Sequence, residues 1–173
     1  MHTDTTSKIN MIDETIHQRS AFAPATVSNL AVGFDLLGMA MDGVGDTVTL
    51  TRQKKPGLVI KSIHSADKLP KAVDQNVATI ALQLMLDDLG LSDLGLSLKL
   101  TKGIPLGSGL GGSAASAVAA LIAFNGFLKV PLSRNQLLAY ALQSEALVSG
   151  QAHADNVAPA LLGGLVLYAD GQL

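Results

Sequence analysis

Four glycines fall within six residues of this sequence, at Gly107, Gly109, Gly111 and Gly112. They belong to the segment Gly103-Ile104-Pro105-Leu106-Gly107-Ser108-Gly109-Leu110-Gly111-Gly112-Ser113-Ala114-Ala115. Glycine lets a backbone take positive φ and lets a ligand come close. An alternating strand pattern precedes the segment and an apolar helical pattern follows it. The first amides of such a helix are unpaired, and they and the helix dipole favour an anion. A phosphate is the obvious guest. A bare strand-to-helix turn seldom needs four glycines.

Two common phosphate loops fit poorly. Gly107-x-Gly109-x-x-Gly112 matches a dinucleotide-binding fingerprint, a weak signal alone. That fingerprint needs a continuously apolar strand before it and an acidic residue roughly 20 positions later. The strand here alternates, and Lys129 to Gln136 contains no acid. The Walker A form has the right glycine spacing, but Ser113 stands where its lysine belongs.

The elements that must position these groups follow from periodicity. Ala21 to Val27 reads as an edge strand, because Pro24 cannot donate to a central ladder. Asn29 to Gly38 is punctuated by glycine. In Asp46 to Arg52, Val48 and Leu50 alternate with threonines, a half-buried strand. Leu58 to Ile63 is another strand. Asn76 to Leu89 has helical spacing and stops at Gly90. Leu96, Leu98 and Leu100 mark a one-sided strand. Ser113 to Lys129 reads as a buried helix. Ser133 N-caps a helix running to about Ser149. Asp155 to Leu162 is a short helix and Leu165 to Ala169 a last strand. The order β, β, β, α, β, α, α, α, β predicts an α+β layered domain.

Composition narrows the class. The 173 residues suit one domain of ordinary size. The chain has no cysteine, which excludes disulfides and thiolate metal sites and fits a reducing, cytoplasmic setting. A formal net charge of −2, with no basic cluster beyond Arg52, Lys54 and Lys55, argues against a nucleic-acid partner. The most apolar stretch, Ala114 to Leu128, is too short for a membrane span. The polar first residues lack the apolar middle of a secretory signal. Residues 1–19 are expected to be a flexible leader and residues 20–173 the folded domain.

Pro105-x-x-x-Gly109-Leu110-Gly111-x-Ser113-Ala114 resembles the phosphate loop of the GHMP kinase superfamily, with Gly112 in place of its first serine. Two further segments are similar to its homoserine kinases: Pro24-Ala25-Thr26-Val27-Ser28-Asn29 through Asp35, and Glu145 followed by His153-Ala154-Asp155-Asn156-Val157-Ala158-Pro159. The resemblance runs from about Ala21 to Leu173. It implies an N-terminal GHMP domain of the ribosomal-protein-S5-domain-2-like type, a mixed sheet with helices on one face. It also implies ATP-dependent phosphorylation of the hydroxyl of L-homoserine, a step in threonine synthesis. A mevalonate-like acceptor and a non-catalytic nucleotide-binding fragment are the alternatives.

The resemblance assigns roles by residue. Pro105, Leu106, Gly107, Ser108, Gly109, Leu110, Gly111, Gly112, Ser113 and Ala114 would hold ATP, with Asn76 and Lys102 near the adenine. Ser113 and Glu145 would hold Mg²⁺. Asn29, Asp35, His153 and Asn156 would face the amino acid. Asp35 could hold its ammonium and Asn29 its hydroxyl or carboxylate. From spacing alone, Asn29 is equally a turn residue, Asp35 a helix cap, and Asn76 and Asp155 N-caps. Asn156 stands where mevalonate-type relatives place an aspartate, and an amide cannot act as a base. His153 and Asn156 would then serve transfer by positioning, which suits a loose transition state. The resemblance also implies a second α+β domain that this chain lacks. The chain is therefore expected to be an incomplete form, inactive alone and prone to homodimerise through an uncovered face.

Overall fold

The computed structural model describes residues 11–28, 30 and 36–169. Five strands and four helices alternate in the expected order. They are β1 (Gln18–Ser28), β2 (Leu37–Arg52), β3 (Leu58–His64), α1 (Val77–Asp88), β4 (Leu96–Thr101), α2 (Gly112–Asn125), α3 (Arg134–Ser149), α4 (Ala154–Leu162) and β5 (Leu165–Leu167). The sheet runs β1-β2-β4-β3, and β5 also pairs with β2. Only β3 and β4 are parallel. Antiparallel neighbours can share a short link, whereas the parallel pair needs a crossover, here α1.

Alternation puts one face of the sheet on the core. Val48 pairs with Leu100 and Leu50 with Leu98, and all four are buried. Ser97, Lys99 and Thr101 point the other way and are partly or fully exposed. The helices cover the apolar face. α2 lies deepest: Ala114, Ala115, Ala117, Ala119, Ala120 and Ala123 are all buried. Alanine lets helix and sheet backbones approach closely, as interior packing density demands. The mixed sheet with helices on one face is the architecture the resemblance implied.

Three expectations need correction. The end of the expected leader is docked at one point, though most of residues 11–19 are exposed: Ile12 is 1% exposed and bridges Leu128. The Asp13 amide donates to the Phe127 carbonyl at 2.8 Å. Polar neighbours hid one anchoring isoleucine; residues 1–10 lie outside the described part. The deepest helix ends at Asn125, not Lys129, because the Asn125 side chain turns to bind Leu132, accepting from its amide at 2.7 Å and donating to its carbonyl at 3.0 Å. β2 begins at Leu37, nine residues before the alternating stretch. That first half pairs with both β1 and β5 and is rich in glycine, so it shows no period-2 signal. Gly38 must lack a side chain there, since a Cβ would lie 1.7 Å from the Asp155 carbonyl oxygen. Pro24 does sit on the edge strand β1, beside a register shift.

Candidate functional site

The glycine loop joins β4 to α2. Gly107, Gly109 and Gly111 have φ of 68°, 72° and 63°, the left-handed region. Around Gly107 and Gly109 the space is open. Gly111 is the N-cap of α2 and offers no side chain to it. The Ala115 amide donates to the Gly111 carbonyl, which leaves the amides of Gly112, Ser113 and Ala114 without an intrahelical partner.

Two buried anchors hold the base of the loop. Asp46 Oδ1 accepts from the amides of Gly103 and Ile104 at 3.1 and 3.3 Å. Asp46 Oδ2 accepts from Ser116 Oγ at 2.6 Å and pairs with Lys102 Nζ. Lys102 also donates to the Gly112 carbonyl at 2.8 Å and to Ser116 Oγ at 3.0 Å. All three ammonium donors are thereby engaged, and the side chain is 5% exposed. The expected nucleotide contact of Lys102 is not carried forward. Asn76 behaves similarly: it N-caps α1, accepting from the Ala78 amide at 3.1 Å and donating to the Pro70 carbonyl at 3.2 Å.

A cleft of about 500 Å³ opens over the loop. It is lined by Ser28, the run from Pro105 to Ser113, Glu145, His153 and Asn156. The Ala114 side chain is in the core, so only its amide remains for a ligand. The structure thus brings the loop, Glu145, His153 and Asn156 together from three separate stretches of chain. Asn29 and Asp35 lie outside the described residues. A groove of about 550 Å³ beside α1 and a hollow of about 370 Å³ near Phe22 carry no comparable set: their titratable groups are Asp74 and Asp87 in one and Asp42 in the other.

Glu145 is 5% exposed. Its Oε1 accepts from Ser113 Oγ at 2.9 Å and lies 3.6 Å from His153 Nδ1. Its Oε2 is buried with no hydrogen-bond partner. A buried carboxylate oxygen normally has one, and leaving it bare is costly. A hard cation fits that vacancy: Mg²⁺ takes one or two protein oxygens and otherwise phosphate and water. Among the described residues no three of His, Cys, Asp and Glu gather as a metal cage. Ser113 and Glu145 satisfy the sparser demand of Mg²⁺.

His153 is the N-cap of α4 but makes no side-chain cap bond, and its imidazole is 41% exposed. The expected cap, Asp155, instead lies in the first turn and is buried. Sequence reading missed Thr26, Ser28 and Asp46. Thr26 and Ser28 stood inside a noted motif, whereas Asp46 gave no signal, because its partner Lys102 is 56 residues away.

A family model described as "GHMP kinases N terminal domain" matches residues 76–164. The chain belongs to the GHMP kinase family. It is 54% identical over 154 residues to a homoserine kinase of Xylella fastidiosa (strain M12), covering 88% of this chain and 48% of that protein. Against a homoserine kinase of Chloroherpeton thalassium the identity is 41%, over 87% of this chain and 50% of the relative. The chain thus spans about half the length of the curated relatives it matches. A crystal structure of homoserine kinase from Cytophaga hutchinsonii superposes with a TM-score of 0.84 at 46% identity, covering 90% of this chain and 49% of that one. L. major mevalonate kinase in complex with R-mevalonate, at 21% identity and TM-score 0.72 over 94% of this chain and 53% of that one, shares the fold. In this GHMP kinase domain, both the loop and the Glu145 helix fall inside the matched segment.

Proposed function

We propose that this domain binds MgATP in the glycine-lined cleft and serves transfer of the γ-phosphoryl group to the hydroxyl of L-homoserine. The observation that carries the reading is the orphaned, buried Oε2 of Glu145, a residue that lines the same cleft as the glycine loop. The acceptor follows from the homoserine kinases to which the chain is similar, together with the His153 and Asn156 side chains on the same cleft.

Each residue's part follows from its chemistry. The amides of Gly112, Ser113 and Ala114 and the positive end of α2 hold the phosphate tail. Gly107 and Gly109 let the backbone fold over it. Ser113 Oγ and Glu145 Oε2 would hold Mg²⁺, which when bound neutralises charge on the phosphates. His153 and Asn156 orient the acceptor, and neither Asn156 nor the backbone can remove its proton. Rate enhancement rests on alignment and on charge stabilisation, as a loose phosphoryl-transfer transition state allows. Reaction of homoserine would yield O-phospho-L-homoserine, ADP and a proton, the hydroxyl hydrogen leaving late to an oxygen of the transferred phosphoryl group, in a step toward threonine.

The test is ATP-dependent phosphorylation by a full-length protein that carries this domain, assayed with homoserine and with mevalonate as rival acceptors. Phosphate should appear on homoserine only. Transfer to mevalonate, or calorimetric ATP binding with transfer to neither, would replace the reading by one of those two alternatives.

A further inference from the structure

A second network ties the glycine loop to Asn156. Thr26 on β1 is 0% exposed. The β1–β2 ladder breaks beside it: Pro24 pairs with Gly45 but Thr26 with Ala40, so Met41 to Val44 lie opposite Ala25 alone. A break of this kind re-aims the groups next to it. The Thr26 amide donates to the Leu110 carbonyl of the loop at 3.1 Å. The Thr26 hydroxyl donates to Asn156 Oδ1 at 2.8 Å. Gly111 packs into the same corner, where a Cβ would lie 2.0 Å from Thr26 Oγ1 and 2.9 Å from Asn156 Oδ1.

Chemistry fixes the direction of these bonds. An amide NH₂ can only donate and an amide oxygen only accept. Asn156 Nδ2 lies 3.3 Å from Asp155 Oδ1, so the amide NH₂ faces Asp155 and the amide oxygen faces Thr26. Thr26 is therefore the donor. The Asn156 amide is held from both ends, and one of those ends also holds the loop.

We propose that Thr26 is a positioning residue that locks the Asn156 amide to the Leu110–Gly111 turn. The phosphoryl donor on the loop and the acceptor hydroxyl at Asn156 then keep a single relative placement. The inference rests on the kinase reading above and deepens it. Transfer needs its reacting atoms within about 3–3.5 Å and aligned, and a slip of about 1 Å costs about 100-fold in rate. A loop and a helix that moved independently would incur that slip.

Thr26→Val keeps the shape and the backbone amide but removes the donor, and Thr26→Ser restores it. With homoserine as acceptor, Thr26→Val should lower kcat about 100-fold while KM for ATP stays near wild type, and Thr26→Ser should recover most of the loss. A role in stability alone would lower Tm and spare kcat per folded molecule. Wild-type kcat in Thr26→Val, or an equal loss in both variants, overturns the inference. Should a full-length protein that carries this domain bind MgATP yet phosphorylate no homoserine, the kinase reading fails separately. The inference is then decided by NMR of the Asn156 side-chain NH₂. MgATP should shift that signal in the wild type and in Thr26→Ser; an undiminished shift in Thr26→Val overturns it.

Discussion

Two buried carboxylates flank the glycine loop, and they are satisfied to opposite degrees. Asp46, at 0% exposure, accepts from two loop amides and from Ser116, and is paired with Lys102. Glu145, at 5%, has one good hydrogen bond and one bare oxygen. Burying a charge is tolerable only when partners replace water. Asp46 has every partner inside the protein, so it serves the fold: it gathers the start of the loop, and through Lys102 its end. Glu145 lacks one partner within the protein, as the proposed cation site needs. The difference separates the residue that builds the phosphate loop from the residue that uses it.

The comparison is broken most forcefully at Asp46. Asp46→Ala leaves the Lys102 ammonium and two amides buried without their acceptor, and should cost about 3–5 kcal/mol. Urea unfolding measures it. Adding Lys102→Met removes the stranded charge and should recover part of the loss. A stable, soluble Asp46→Ala protein would show that the pair is not what holds the loop.

Glu145→Gln should do the reverse. The amide is close in shape and removes an incompletely satisfied charge, so stability should stay within about 1 kcal/mol of wild type or rise. MgATP-dependent turnover should fall about 100-fold, the equivalent of losing a few kcal/mol of charge stabilisation. Binding and turnover that ignore both Mg²⁺ and this substitution would remove Glu145 from the metal site.

Asp46, directly and through Lys102, holds both ends of the loop, and the glycines between those ends differ in kind. Gly111→Ala meets Thr26 Oγ1 at 2.0 Å as well as an unfavourable φ of 63°, and should lower both Tm and activity. Gly109→Ala meets only the φ of 72°, with open space around it, and should cost about 1–2 kcal/mol. Equal effects would show that the corner at Thr26 yields easily.

The smallest effect lies away from the loop and serves as a control. Burial first, and the hydrogen bond to Asp88 second, push the Tyr140 phenol up to about 12 from 10.0. A raised folded pKa means that the protonated phenol favours the fold. That contribution is complete below pH 10 and is lost as pH rises through about 12. Alkaline spectrophotometric titration should show this late phenol, and Asp88→Asn should bring it down without changing ATP binding.

Much of this was legible in the sequence because it is local. Leucines at Leu96, Leu98 and Leu100 announced β4, Ser133 announced the start of α3 through its capping box with Gln136, and four close glycines announced a phosphate loop. The resemblance of Glu145 and the His153–Pro159 segment to known kinases marked residues that the fold does place on one cleft. Less local features were hidden. The first half of β2 carries no alternation: Gly38 answers to close approach by α4, Gly45 to close approach by β1, and Gly43 takes a φ of 80°. Ile12 reads as one apolar residue in a polar stretch, and only its docking beside Leu128 makes it core.

By itself the sequence determined the element types and the loop's open glycine backbone, because side-chain periodicity and glycine content act over a few residues. Tertiary structure alone decided which charged groups are spent and which remain available. Lys102 sits beside the phosphate loop in sequence yet is consumed by Asp46. Glu145 lies 32 residues from Ser113 yet shares its proton, and keeps one oxygen free. Hydrogen-bond satisfaction depends on distances between remote segments, and folding is what sets those distances.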